Sequence, residues 1–201
     1  MRHRFVFTHT FKHIIVSIVI LEAFIVFLAI YQYGLAVEGM QGVARYSGRF
    51  SLFLFSLIFL AGFDKSNVVI RYLIKPYHAF ALAHGIHLVE LLTYVVKAEI
   101  HLNPIRVAGG FLAYVLIFVM PILVDLYHKE KVSKKVFVVS EIIYHYYVWL
   151  IFFMTYLPRV RGLVPNAGGN YWEHVALLGW VSLMLGMRLP MALRRRRRHE
   201  S

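Results

Sequence analysis

Residues 76–96 read PYHAFALAHGIHLVELLTYVV, an apolar run that contains His84, His87 and Glu90. At about 1.5 Å per residue, a helix of this length crosses a hydrocarbon core of about 30 Å. Ionisable groups within such a span are costly, so they point to a function. Pro76 suits the first turn of a helix, where its missing N–H costs nothing. Lys97, Glu99, His101, Asn103 and Pro104 close the run.

The same pattern recurs along the chain on both sides. Apolar spans are expected at residues 14–33, 48–63, 76–96, 107–126, 136–157 and 172–189, forming a single transmembrane domain over residues 1–201. The fold class is therefore all-α, a six-helix transmembrane bundle. Glu22 falls near the middle of the first span. Gly34–Ser47 reads as a glycine-containing connector, and Gly109, Gly110 and Pro121 mark the fourth span for close contact and a kink. Glu141 and His145 lie in the fifth span among Tyr144, Tyr146, Tyr147 and Trp149, and the sixth opens on Glu173 and His174. The first span is expected to be retained, because Gln32, Tyr33 and Gly34 make a poor cleavage site for a signal peptide.

Composition agrees with this class. Of 201 residues, 60% are hydrophobic and 16% aromatic, and the mean hydropathy is +0.64, far from a soluble domain. Cysteine is absent, which excludes a disulfide framework, a zinc–thiolate site and an iron–sulfur cluster on this chain. The net charge of +12 would suggest nucleic acid in a soluble protein; here the partner it implies is the lipid bilayer surface, and no nucleic acid.

Charge placement orients the spans. With both termini inside, inner segments hold Arg2, Arg4, Lys12, Lys65, Arg71, Lys75, Lys129, Lys131, Lys134, Lys135, Arg188 and Arg194 to Arg198, sixteen of the 22 lysines and arginines. Outer segments hold the other six, Arg45, Arg49, Lys97, Arg106, Arg159 and Arg161. The expected topology is N-in and C-in, in a bacterial inner membrane, with the terminal arginines anchoring to anionic lipid.

Topology gives each histidine a depth. Counted from the span ends, His84 and His145 fall at similar depths on the third and fifth spans, and a six-coordinate haem needs two imidazoles at one level. His84 and His145 are thus the expected axial ligands, with His87, one turn beyond His84, as the alternative. His101 and His174 lie near the outer surface and leave a second haem open. His78 is expected at the inner interface.

The segments RYSGRFSLFLFSLIFLAGF from Arg45 and RYLIKPYHAFALAH from Arg71 to His84 resemble the ferric reductase-like transmembrane domain family, which includes the haem-binding membrane subunit of the periplasmic methionine sulfoxide reductase system. Gly48 corresponds to the glycine that opens the family's Leu-rich helix, and the Arg71-to-His84 spacing corresponds to its arginine and haem-binding histidine. His145 in YHYYVWLIFF is similar to its later histidine. The resemblance implies haem b, one or two per chain, and transmembrane electron transfer. It also implies a separate redox protein or quinone as donor or acceptor, with flavin or quinone at the partner interface. An enzyme on this reading would be a transmembrane oxidoreductase component. The family's second histidine on each helix is not matched after His145, where Pro158 and Arg159 stand.

Two other readings use the same residues. His84, His87 and Glu90 with Glu141 and His145 could converge as a non-haem metal site of a membrane-embedded hydrolase or oxygenase. Glu22, Glu90 and Glu141 could serve a proton-coupled transporter. No glycine-rich phosphate loop follows a strand pattern, so no nucleotide site is expected.

Overall fold

Long apolar runs punctuated by glycine, proline and short polar stretches fold here into helices alone. The computed structural model describes residues 2–61, 76–101, 104–164 and 167–200. Six helices account for them, with no strand among the described residues: α1 Arg2–Tyr33, α2 Val37–Ala61, α3 Pro76–Lys97, α4 Pro104–His128, α5 Lys134–Val160 and α6 Tyr171–Glu200. Five of them, α1 to α5, are long and apolar enough to cross a membrane. The chain is a multi-pass integral membrane protein, and many large apolar side chains, such as Phe24, Phe53, Phe111 and Ile122, face outward from the bundle. The Asp64–Lys75 connection, including Arg71, the residues Gly62 and Phe63 at the end of the expected second span, and the side chains of Arg194 to Arg198 lie outside the description.

Local chemistry sets the helix ends. Gly34, at φ +77°, ends α1 in the left-handed conformation that glycine adopts without a Cβ penalty, and its N–H bonds Ile30 at 2.8 Å. Ser133 caps α5, accepting from the Val136 N–H at 3.4 Å. Asn170 and Glu173 form a reciprocal cap on α6. The Asn170 side chain accepts from Trp172 N–H at 2.9 Å, and the Glu173 carboxylate accepts from Asn170 N–H at 3.2 Å.

The second helix departs from expectation. It begins at Val37 rather than at Gly48, so the supposed connector is helical. Its glycines serve packing: a Cβ at Gly42 would meet the Tyr33 ring at 2.8 Å, and one at Gly39 would run into the Gly34 carbonyl oxygen. Only helix without side chains at these positions lets α2 fold back this tightly on α1.

Side-chain pairs fix the directions. Gln41 bonds Tyr94 at 2.9 Å and Phe55 packs on Phe80 with ring centroids 5.6 Å apart, so α2 and α3 are antiparallel. Arg49 meets Glu173, Trp180 bonds Ser56 at 2.9 Å, and Arg188 bonds the Phe59 carbonyl at 3.0 Å, so α6 runs parallel to α2. The start of α1 and the end of α6 share one end of the bundle, here the terminal end; the α1–α2 turn and residues 161–170 lie at the distal end. Leu52, Phe55, Phe59, Phe80, Ile117, Met120, Tyr144, Val148 and Val181 form the buried core between them.

Candidate functional site

Helices α1, α2 and α3 bring polar groups together where an apolar seam would be expected. Glu22 of α1 is 2% exposed, and Ser47 and Ser51 of α2 are fully buried. Glu22 and Glu90 lie within electrostatic reach of each other, and the Ser47 hydroxyl interacts with both carboxyls. Both Glu22 oxygens, Glu90 Oε2, and the Ser47 and Ser51 hydroxyls are buried without a geometrically good hydrogen bond among the described residues. Such groups cost free energy in an apolar interior, so the cluster is a feature that packing alone would not keep.

Two imidazoles share α3 with Glu90. His87 faces α2 at Gly48, where an added Cβ would stand 3.0 Å from the ring. His84 lies 5.2 Å from His87 between ring centroids and is stacked on Tyr114 at 4.8 Å and Phe80 at 5.1 Å. The Nδ1 atoms of both are buried and unpartnered among the described residues. The sequence placed His84, His87 and Glu90 on one helix, and the structure adds Glu22 and Ser47 to Glu90.

His145 lies elsewhere. Its ring is fully buried against Tyr77 and Phe59, each with centroids 6.0 Å away. Tyr77 donates to Glu141 at 3.0 Å. The Glu141 backbone carbonyl accepts from His145 Nδ1 at 2.8 Å, which fixes the proton on Nδ1 and leaves Nε2 buried without a partner. His84 instead neighbours Phe152, at 5.9 Å. So His145 is level with Tyr77, seven residues before His84 on α3, a displacement of about 10 Å along the axis.

Phe55, Phe80 and Phe152 fill the space between the two levels, with Phe55 to Phe152 at 5.4 Å and Phe80 to Phe152 at 6.5 Å. The structure does not bring His84 and His145 to a common level. The two ligands of one iron must lie on a common axis through the macrocycle, whereas these imidazoles are offset by two turns with packed rings between. Counting residues from the span ends gave equal depths because it took the two helices to start level; their axial offset is set by the aromatic packing. The wider set His84, His87, Glu90, Glu141 and His145 is likewise not gathered, and among the described residues no three His, Asp or Glu side chains group to hold a metal ion.

The remaining histidines are dispersed. His78 meets Asp125 at 3.3 Å near the terminal end. His101 is exposed at the distal end of α3. His174 is buried and shares a 3.0 Å hydrogen bond with the Gly168 carbonyl, so it is engaged with its own loop.

Above the carboxyl cluster, the distal end carries a polar rim that the sequence reading treated as topology signals. Arg49 pairs with Glu173 at 2.5 Å. Arg45 donates to the Tyr33 hydroxyl at 2.8 Å, with its guanidinium 5.2 Å from both the Tyr33 and Tyr46 ring centroids. Comparison with known protein families, with characterised proteins and with solved structures finds no match for this chain.

Proposed function

We propose that this chain takes up and releases protons at the Glu22–Ser47–Glu90 cluster and couples them to the passage of a solute across the membrane. The convergence of two carboxyls from separate spans on one buried serine, with oxygens left unpartnered, supports this reading. Two ionised carboxylates so close in a low-dielectric interior repel each other strongly, and a proton between them relieves that repulsion. His84 and His87 extend the set of proton acceptors toward the bundle centre. The charge asymmetry supports the terminal end as the inner one, and a bacterial inner membrane is the location this reading proposes.

Infrared difference spectroscopy of the protein in lipid, stepped between acid and alkaline buffer, tests the reading. A protonated-carboxyl band should appear and disappear with pH, and Glu22→Gln and Glu90→Gln should each remove part of it. A band unchanged in both variants would overturn the assignment.

A second reading is the b-type haem electron-transfer protein that the resemblance implies, working with a separate redox protein or quinone. The observation that favours it is His145, whose Nδ1–H is held by a carbonyl while Nε2 stays free, the orientation usual for a metal-bound imidazole. A Soret band in the purified protein, with an α-band that sharpens on dithionite reduction and is lost in His145→Ala, would establish it. A preparation that stays colourless after incubation with haemin rules it out.

A further inference from the structure

α2 presents Arg45 and Arg49 one turn apart on the face it turns to the distal end. Only one of them has a carboxylate bonded to it, although Glu173 also acts on Arg45 through space. Arg49 has the Glu173 carboxylate, whereas among the described residues no carboxylate lies within 4.0 Å of the Arg45 guanidinium. Arg45 is instead steadied by the Tyr33 hydroxyl and the flanking tyrosine rings, and it borders a cavity of about 440 Å³ lined also by Glu38, Gln41, Gly168, Asn170 and Glu173. This volume is within the range that holds small ligands.

The loop beside it is shaped to leave room. Gly168 and Gly169 both have left-handed backbones, φ +63° and +83°. A Cβ at Gly168 would stand 2.5 Å from Gln41 Oε1 and 3.0 Å from Arg45 Nη1, and one at Gly169 3.3 Å from Arg45. Residues with side chains would block the guanidinium from the cavity. Glycine brings backbone against it while keeping the space open.

We infer that this cavity binds a small carboxylate-bearing solute, with Arg45 as its anchor. A guanidinium with no carboxylate bonded to it can meet a carboxylate in two parallel hydrogen bonds, and Glu173 reaches Arg45 only through space. Gln41 and Asn170 supply further polar contacts, and Glu38, on the same lining, suits an ammonium group if the solute is an amino acid. Glu173, already held by Arg49 and its own cap, shares the cavity wall and repels the solute carboxylate. The inference names the solute class of the proton-coupled reading and rests on that reading only for the step of transport; binding itself does not depend on it.

Isothermal titration of the full chain in nanodiscs of neutral lipid, with lactate and with glycine as probes, tests it. Saturable binding of at least one probe is expected. Arg45→Gln should weaken it by about tenfold or more, and Arg45→Lys should weaken it less, since the charge remains without the fork. Glu173→Gln should tighten it, an effect that a merely structural role for the rim would not produce. The carboxyl infrared band reads the proton cluster and the heat of titration reads the cavity, so failure of the proton reading and failure of the cavity assignment are separable. No saturable heat from either probe would overturn the inference, and so would equal binding by wild type and Arg45→Gln. Repeating the titration in nanodiscs with phosphatidylglycerol separates the sources of the anion: if this lipid abolishes lactate binding, the guanidinium serves a lipid phosphate and the solute assignment falls.

Discussion

Gly48 on α2 and His87 on α3 face each other so closely that a methyl carbon at Gly48 would come 3.0 Å from His87 Cε1. Gly48 is therefore a clearance for an imidazole.

Gly48→Ala should lower stability. Alanine gains up to about 1 kcal/mol of helix propensity, but displacing the His87 ring against His84 costs about 1–3 kcal/mol. The net loss expected is about 1 kcal/mol, read from thermal unfolding in detergent. Gly48→Ala combined with His87→Ala should recover much of it, because the clash needs both partners; an additive double variant would contradict the contact.

Tyr77→Phe should cost about 1–2 kcal/mol, since it withdraws a 3.0 Å donor from the buried Glu141 carboxyl while keeping the ring that packs on Tyr144 and His145. Chemical unfolding of the two proteins in mixed micelles gives the difference. No measurable difference between the two proteins would show that the hydrogen bond contributes nothing.

The Arg49–Glu173 pair joins α2 to α6 at a partly exposed site, with side-chain exposures of 22% and 45%. A double-mutant cycle with alanine at each position should give a coupling of about 0.2–1 kcal/mol that shrinks in molar salt. Glu173→Ala should cost more than Arg49→Ala, because Glu173 also caps α6 through Asn170.

Phe152→Ala should destabilise the bundle by about 3–5 kcal/mol by opening a cavity beside Phe55, Phe80 and His84. In proteoliposomes carrying a pH-sensitive dye, the same variant should dissipate an imposed pH gradient faster than wild type. Equal dissipation at equal protein content would show that this ring does not separate the two polar levels.

Much of the architecture was legible in residue order. The apolar runs gave the helices to within a few residues at α3, and the intramembrane Glu22, His84, His87 and Glu90 were visible as anomalies of composition. Two things were not. The start of α2 was hidden because Gly39 and Gly42 look like loop residues in sequence, whereas here they permit helix-to-helix approach. The level of His145 was hidden because hydropathy says how long a helix is, not how far it slides along its neighbour. That sliding is decided by which rings interlock, Tyr77 with Tyr144 and His84 with Phe152. The approach of Glu22 to Ser47 spans two helices and leaves no mark in spacing.

The three phenylalanines between the levels also set the kinetics to expect. Protons hop along hydrogen-bonded groups, and Phe55, Phe80 and Phe152 offer none. On the proton-coupled reading, a proton held at Glu22 or Glu90 passes these rings toward Glu141 and His145 when helices shift enough to part them or admit water between them. Helix motions of that kind take microseconds to milliseconds. Proton passage should therefore saturate at a turnover set by bundle rearrangement, with a steep dependence on temperature and membrane fluidity, rather than rise with driving force as current through an open pore does.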